Sequence, residues 1–235
     1  PGRDSPIAGA VLTNGDVDAI AGLLTLRESQ KLALYATPRV LDVLAANSIF
    51  SVLNPDFVAR RPLALGQPTD LATSDGRPTG LRVEAFSVPG KVALYLEDAA
   101  IEQRLAQRSE DTIGLAVSAP ATGKRFCYVP GCAALDDDLR ARLRGSPLVF
   151  FDGTLWRDDE MIRAGLGAKT GQRMGHLSVS GPEGSIAAFR DLGVKRKLFI
   201  HINNTNPILC AGSPERAAVE AAGWEVARDG LDITV

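Results

Sequence analysis

Short apolar runs typical of β-strands alternate with stretches of helical periodicity at both ends of the chain, and a β-rich middle separates them. Residues 7–13 have strand character, and residues 16–27 carry apolar side chains near helical spacing. A second strand at residues 32–35 is followed by Thr37 and Pro38, which supply an N-cap and a first-turn proline for the next helix. The alternation predicts an α/β fold.

The middle of the chain predicts a meandering sheet, after which the alternation resumes. Residues 54–78 are rich in proline, glycine and polar residues, and we interpret them as a loop region with weak strand content, a candidate lid. Residues 224–227 and 231–235 flank Asp229-Gly230 and predict a β-hairpin. The other predicted strands are residues 81–86, 92–96, 112–118, 125–129, 147–151 and 197–202, and the other predicted helices are residues 135–144, 158–164, 184–192 and 214–222.

Length and composition limit the class of protein. With 235 residues, 45% of them hydrophobic, the chain can bury one core, so we expect a single domain over residues 1–235. A net charge of −2 argues against nucleic acid as a partner. No apolar run approaches the roughly 18 to 20 residues of a membrane span, which favours the cytoplasm. The 3 cysteines show no spacing typical of a disulfide framework or a thiolate zinc site.

Polar side chains stand at alternate positions where the first predicted strand ends and the first predicted helix begins. They are Asn14, Asp16 and Asp18. Turns of this kind face the cleft of α/β sheets, which makes these residues candidates for a binding site. An alternative stays open, because residues of these types commonly cap the following helix.

Three further candidates lie in the second half of the chain. Asp152 directly follows an apolar strand, where a carboxylate is unusual, and both histidines of the chain, His176 and His201, stand near other polar residues. His201 also ends an apolar strand and precedes three asparagines within five residues, a density that suits a ligand pocket. The alternative for each histidine is a structural hydrogen bond.

Several blocks of the sequence are similar to those of one known family. The blocks are Asp152-Gly153-Thr154, Arg173-Met174-Gly175-His176, and residues 3–7, 21–24, 26–29, 88–91, 128–132, 158–165 and 201–209. Through them the chain resembles, over essentially its whole length, the B-protein family of pyrroloquinoline quinone (PQQ) biosynthesis. The resemblance implies a metallo-β-lactamase-like four-layer αββα sandwich.

The same resemblance implies a function. Its members are expected to act on a Glu-Tyr unit of a precursor peptide through an iron-dependent hydroxylation of the tyrosine ring, with Fe(II) as the cofactor. The alternative is a non-catalytic carrier that binds PQQ or its precursor for transport. The expected partner is therefore a small peptide or a quinone precursor, and whether the chain forms a homodimer is left open.

Hydrolases of this fold carry Thr-His-x-His-x-Asp-His at the first candidate turn. This chain keeps only the threonine and the aspartate of that motif, at Thr13 and Asp18. Asn14, Asp16 and Ala19 occupy the histidine positions, so a dinuclear zinc hydrolase is not expected.

The roles that the resemblance implies follow from these matches. Asp16, Asp18 and His201 are the candidate metal ligands and catalytic residues, and such oxygen-rich ligation favours ferrous iron over tetrahedral zinc. His176 is expected to hold Asp152 or the backbone rather than the metal. The candidate substrate-binding residues are Asn14, Asp152, Arg173, Asn203, Asn204 and Asn206.

Two departures from the family matter. Family members usually carry histidine where this chain has Ala19, so one nitrogen ligand is missing and we expect weak metal binding. The family's amino-terminal cysteine-rich zinc motif is also absent, and the chain enters a strand soon after Pro1. We therefore expect that an amino-terminal segment is missing and that a structural zinc ion would be held only there.

Overall fold

Two sheets lie face to face in the computed structural model, which describes residues 5–91 and 108–235. The strands are β1 (Gly9–Val11), β2 (Leu32–Ala36), β3 (Val58–Pro62), β4 (Pro68–Ala72), β5 (Pro78–Pro89), β6 (Arg108–Ala119), β7 (Lys124–Val129), β8 (Leu148–Asp152), β9 (Arg196–Ile200) and β10 (Glu225–Val226). The α-helices are α1 (Val17–Ile20), α2 (Pro38–Ala46), α3 (Asp137–Leu143), α4 (Glu160–Arg163), α5 (Ser185–Ala188) and α6 (Pro214–Ala221).

The smaller sheet is parallel, in the order β1-β2-β3. Every residue of β2 is buried, as expected for a parallel strand that is covered on both faces. On one face Leu34 packs in a cluster with Val40 and Leu44 of α2. On the other face Ala33 and Tyr35 pack in a cluster with residues of the larger sheet. The small sheet is thus the second of four layers.

Helix α2 begins as its sequence predicts. Thr37 is the N-cap, with its hydroxyl accepting a hydrogen bond from the backbone N–H of Val40 at 3.3 Å, and Pro38 occupies the first turn, where a missing N–H has no consequence. The helix then presents Val40 and Leu44 to the sheet from one face. The outer helical layer on this side is therefore fixed by a short local signal.

The larger sheet has the order β10-β9-β8-β7-β6-β5-β4. Strands β4 to β7 pair antiparallel, and β7 to β10 pair parallel. Its outer face buries an aromatic cluster in which the rings of Phe199 and Trp224 stack 4.0 Å apart and Phe151 packs edge-on against Phe189. Buried residues of α3 and α6 join this cluster and form the fourth layer. The four-layer αββα prediction is confirmed.

Segment 54–78, predicted as a loop region with weak strand content, has more strand than expected. It contains two strands, β3 beside β2 in the small sheet and β4 beside β5 in the large sheet. Both lie at the edge of their sheet, where proline is tolerated because one side of the strand donates no ladder hydrogen bonds. The proline content that indicated a loop therefore marks edge strands.

The predicted carboxyl-terminal hairpin is wrong. Strand β10 pairs parallel with β9, and residues 231–235 form no strand. Two predicted helices are shorter than expected, since residues 16–27 form α1 followed by the 3-10 helix Ala21–Leu26, and residues 184–192 contain only α5. The strand predicted at residues 92–96 lies outside the described residues.

No helix within residues 5–91 and 108–235 has both the length and the apolar character needed to cross a membrane.

A tyrosine hydroxyl joins the two sheets at one edge. The Tyr35 hydroxyl on β2 accepts a hydrogen bond from Ala72 N at 2.8 Å and donates to Ala72 O at 2.9 Å on β4. Arg61 Nη1 also donates to it at 2.8 Å.

We expect Tyr35→Phe to lower the free energy of unfolding by about 1 to 3 kcal/mol, because its partly buried partners lose their hydrogen bonds. Urea denaturation measures this, with Tyr128→Phe as the control; equal losses in both variants would contradict the assignment.

Candidate functional site

The ends of two neighbouring parallel strands bring the two halves of the site together. Asp152 is the last residue of β8, and it pairs in register with Ile200, the last residue of β9, which His201 follows. Asp18 comes from α1, after the first strand of the opposite sheet. His201 Nε2 lies 3.2 Å from Asp18 Oδ2, although 183 positions separate the two residues. The predicted convergence of Asp18 and His201 therefore appears in the structure.

Unusual backbone geometry is needed to place these side chains. A Cβ at Gly153 would lie 2.8 Å from the Cβ of Phe199, so only glycine allows the ends of β8 and β9 to approach so closely. His201 has a φ of 51°, in the left-handed region that a non-glycine residue rarely adopts. Such strained residues concentrate at functional sites, where the surrounding structure holds them in place.

Asp152 is fully buried, and its carboxylate accepts four hydrogen bonds. Oδ1 accepts from the backbone N–H of Thr154 at 3.0 Å and from its hydroxyl at 2.6 Å. Oδ2 accepts from Cys132 N at 3.0 Å and from His176 Nδ1 at 2.7 Å. Four donors compensate the loss of water that burial of a carboxylate entails.

His176 is held by Asp152, as the sequence predicts. Burial lowers the pKa of His176, but the charge of Asp152 and the hydrogen bond to it outweigh burial, so the pKa lies above its ordinary value. The positive charge of Lys91 opposes this rise and Asp16 adds to it. The His176 and His201 rings stack with centroids 5.2 Å apart, so both imidazoles belong to one cluster.

Three side chains of this cluster could hold a metal ion. Asp152, His176 and His201 each offer a ligand atom, and these atoms lie within 4.8 Å of one another. The carboxylate of Asp18 faces Nε2 of His201. Two imidazoles with carboxylates form a mixed nitrogen and oxygen donor set, which suits a divalent transition metal. The chemistry of these residues therefore fits a bound metal ion.

Asp16 and Asn14 lie on the turn that leads into α1 and Asp18. Asp16 stands at the N-cap of α1, yet its side chain makes no capping hydrogen bond, which argues against the helix-cap alternative. Its carboxylate lies 3.9 Å from Lys91 Nζ. Asn14 Oδ1 accepts from Asp16 N at 3.1 Å and so shapes the turn.

The asparagines and Arg173 differ in their burial and in their hydrogen-bond partners. Asn206 is buried, and its side chain donates to Gly153 O at 2.8 Å and accepts from Ile208 N at 3.1 Å. Asn203 donates to Thr205 Oγ1 at 3.1 Å. Asn204 is exposed, while Arg173 is half-buried in the 3-10 turn that precedes His176. The substrate-binding roles of these residues, of Asn14 and of Asp152 stay predictions.

Sequence reasoning missed two residues of the site. Thr154 is buried at the centre of the cluster, and Lys91 is only 14% exposed beside Asp16. Both stand in family-like blocks of the sequence, at residues 152–154 and 88–91. Their position within those blocks was the available signal, but nothing local indicates that strands distant in sequence would enclose them.

Comparisons with known proteins agree with this geometry. Residues 1–202 match the family described as Beta-lactamase superfamily domain. Coenzyme PQQ synthesis protein B of Gluconacetobacter diazotrophicus is 58% identical over 233 residues, which are 99% of this chain and 75% of that protein. The chain belongs to the coenzyme PQQ synthesis protein B family.

Solved structures point to the same family and fold. The Zn²⁺-bound PqqB from Methylobacterium extorquens is 49% identical, with a TM-score of 0.92, and the match covers 98% of this chain and 74% of that one. The metallo-β-lactamase fold protein YhfI from Bacillus subtilis matches at 10% identity with a TM-score of 0.64, over 95% of this chain and 76% of that one, which shows the shared fold alone.

The Asp152 and His176 pair gives a test of the buried network. We expect Asp152→Asn to lower the free energy of unfolding by about 3 kcal/mol, because it removes one partner of a buried charged pair. Since the folded-state pKa of His176 lies above the ordinary value of 6.5, its contribution to stability is complete below pH 6.5 and is lost as pH rises through the folded-state pKa. Asp152→Asn should remove that loss.

Urea denaturation of metal-free protein over a series of pH values measures both effects. Asp158→Asn is the matched control, because Asp158 is an exposed carboxylate that accepts from Gln172 N at 2.7 Å, and an amide oxygen can accept in its place. An unchanged pH dependence in Asp152→Asn would show that the pair does not govern the titration of His176.

Proposed function

We propose that the chain acts in PQQ biosynthesis as an iron-dependent hydroxylase of the tyrosine ring in a Glu-Tyr unit of a small peptide. The observation that carries the proposal is the stacked pair of imidazoles, His176 and His201, with Asp18 Oδ2 3.2 Å from His201 Nε2. Two histidines and a carboxylate with open positions are typical of non-haem ferrous oxygenases. When bound, the ferrous ion supplies the activation of dioxygen.

The atoms and electrons of this reaction balance with two co-substrates. One oxygen atom of dioxygen enters a ring C–H bond and gives C–OH. The other leaves as water, with two electrons and two protons from a small-molecule reductant such as ascorbate. The chain's own residues bind and orient the ring, and the neighbouring histidines and carboxylates can accept and return protons.

Among the ligands, His201 and Asp18 are the best supported. Both are accessible, with side chains 37% and 69% exposed, and their facing atoms are 3.2 Å apart. The carboxylate of Asp152 already accepts four hydrogen bonds, so its main part is to hold His176. We therefore assign His201 and Asp18 as ligands, with Asp16 and His176 beside them.

The positively charged side chain of Lys91, near the cluster, supports a substrate that carries a carboxylate. Lys91 Nζ lies 3.9 Å from Asp16 Oδ1, and its positive charge acts on His176. A largely shielded ammonium group attracts carboxylates. The glutamate of a Glu-Tyr unit carries such a carboxylate, so Lys91 is our candidate for its recognition.

The ligand assignment is tested by removing one donor at a time. We expect Asp18→Asn and His201→Ala each to weaken ferrous iron binding by about 10 to 100-fold, since the loss of a ligand or its support has effects of that size. Asp42→Asn, at an exposed carboxylate on α2, is the control. Anaerobic titration against a competing chelator measures affinity, and iron-dependent gain of one oxygen atom in a Glu-Tyr peptide, followed by mass spectrometry, measures activity. Undiminished affinity in both ligand variants would overturn the assignment.

Ala19 offers a gain of function on the same turn. We expect Ala19→His to tighten ferrous iron binding by about 10-fold or more and to increase peptide hydroxylation, because it adds a nitrogen ligand beside Asp18. Ala21→His is the matched control, because it makes the same change two positions further along, on another side of the turn.

The two measurements separate the hydroxylase from the carrier. Unchanged iron affinity would mean that position 19 does not face the metal. Tighter iron binding without any hydroxylated product, together with binding of PQQ, would favour the carrier alternative instead.

A further inference from the structure

The Thr154 hydroxyl lies at the centre of the cluster and contacts more groups than one proton can serve. Its Oγ1 lies 2.6 Å from Asp152 Oδ1, 3.1 Å from His176 Nδ1 and 2.9 Å from both His201 Nδ1 and His201 O. A hydroxyl has one proton to donate and two lone pairs that accept. Where that single proton points therefore decides the protonation pattern of its neighbours.

The Thr154 hydroxyl donates its one proton in a hydrogen bond to Asp152. A carboxylate oxygen only accepts hydrogen bonds, so the shortest of these contacts, at 2.6 Å to Oδ1, requires that Thr154 donate. Charge-assisted hydrogen bonds of this kind are also stronger than a bond to the neutral carbonyl of His201. The two lone pairs of Oγ1 then remain as acceptors.

The remaining contact fixes the proton of His201. An oxygen with its proton committed to Asp152 can only accept from Nδ1 of His201, so that nitrogen must carry hydrogen. Neutral imidazole carries one N–H, which leaves a lone pair on Nε2. This lone pair faces Asp18 Oδ2 at 3.2 Å, so one metal ion could bind to the imidazole nitrogen and to the carboxylate oxygen together.

We propose that Thr154 is a positioning residue that holds His201 as the Nδ1–H tautomer and so directs its Nε2 lone pair into the site. Through the same hydroxyl, Thr154 links the buried Asp152 to the accessible His201. His176 does not depend on it in the same way, because Asp152 Oδ2 accepts directly from His176 Nδ1 at 2.7 Å. The proposal deepens the metal site of the proposed function, but the tautomer itself can be observed without metal.

The tautomer is read by nuclear magnetic resonance on metal-free protein with ¹⁵N-labelled histidine. The chain has 2 histidines, so their ring nitrogens can be assigned with a single His176→Gln variant. At a pH at which both rings are neutral, we expect Nδ1 protonated and Nε2 unprotonated in His201. An Nε2–H form of His201 in the unsubstituted chain overturns the proposal, and this measurement needs no variant at position 154.

Two substitutions at position 154 separate positioning from packing. Thr154→Val keeps the shape but removes the hydroxyl, and we expect His201 to change to Nε2–H, which then donates to Asp18, while His176 keeps its proton on Nδ1. Thr154→Ser restores a hydroxyl and should return His201 to Nδ1–H. If His201 keeps the same tautomer in the valine variant, Thr154 does not set it. A structural disturbance alone would alter both histidines, so His176 serves as the internal control.

Metal affinity provides a second test of the positioning role of Thr154. We expect Thr154→Val to weaken the binding of zinc and ferrous ions by about 10 to 100-fold, the usual effect of losing a group that orients a histidine ligand. Thr154→Ser should bind close to the level of the unsubstituted chain. Equal affinities in the valine and serine variants would contradict the positioning role. Absence of metal binding in the unsubstituted chain would instead sink the proposed function and leave the tautomer result standing.

Discussion

The buried carboxylate of Asp152 accepts hydrogen bonds from Cys132, Thr154 and His176, and each of these donors comes from a different segment of the chain. Because a carboxylate without partners is costly to bury, all three segments must be in place for Asp152 to occupy the end of β8. That requirement fixes His176 directly and His201 through the hydroxyl of Thr154. The chemistry of the site thus depends on a group that is itself shielded from solvent.

The four-layer arrangement determines which residues can complete the site. The larger sheet supplies Asp152 and His201 at adjacent strand ends, and the smaller sheet supplies Asp18 after β1. Each contribution comes from a strand end or from the turn that follows a strand, where side chains escape the packing of the core. The apolar cluster between the two sheets holds them together. The 3.2 Å contact between His201 and Asp18 therefore joins the two halves of the fold.

The sequence was informative where a local signal decides the structure. Thr37-Pro38 starts α2 as expected, and residues that end apolar strands, such as Asp152 and His201, do meet at one edge. The family resemblance predicted the αββα layers, which periodicity alone did not. The errors arose where pairing between separate segments decides the structure. β3 and β4 are stabilised by pairing with other strands, and β10 pairs with β9 instead of with residues 231–235. The family-like block at residues 152–154 marked Thr154, but its four contacts at the centre of the cluster depend on segments distant in sequence.

The left-handed backbone of His201 has an effect on stability that is separate from its ring. A histidine at a φ of 51° is held in a conformation that most side chains disfavour, at a cost on the order of 1 to 3 kcal/mol. Glycine adopts this region without that penalty, so the residue type best suited to the backbone at position 201 is one that lacks an imidazole. We therefore expect His201→Gly to relieve backbone strain at this position while it removes the imidazole. A strained backbone of this kind is typical of functional sites, where residues suited to chemistry can lower the stability of the fold.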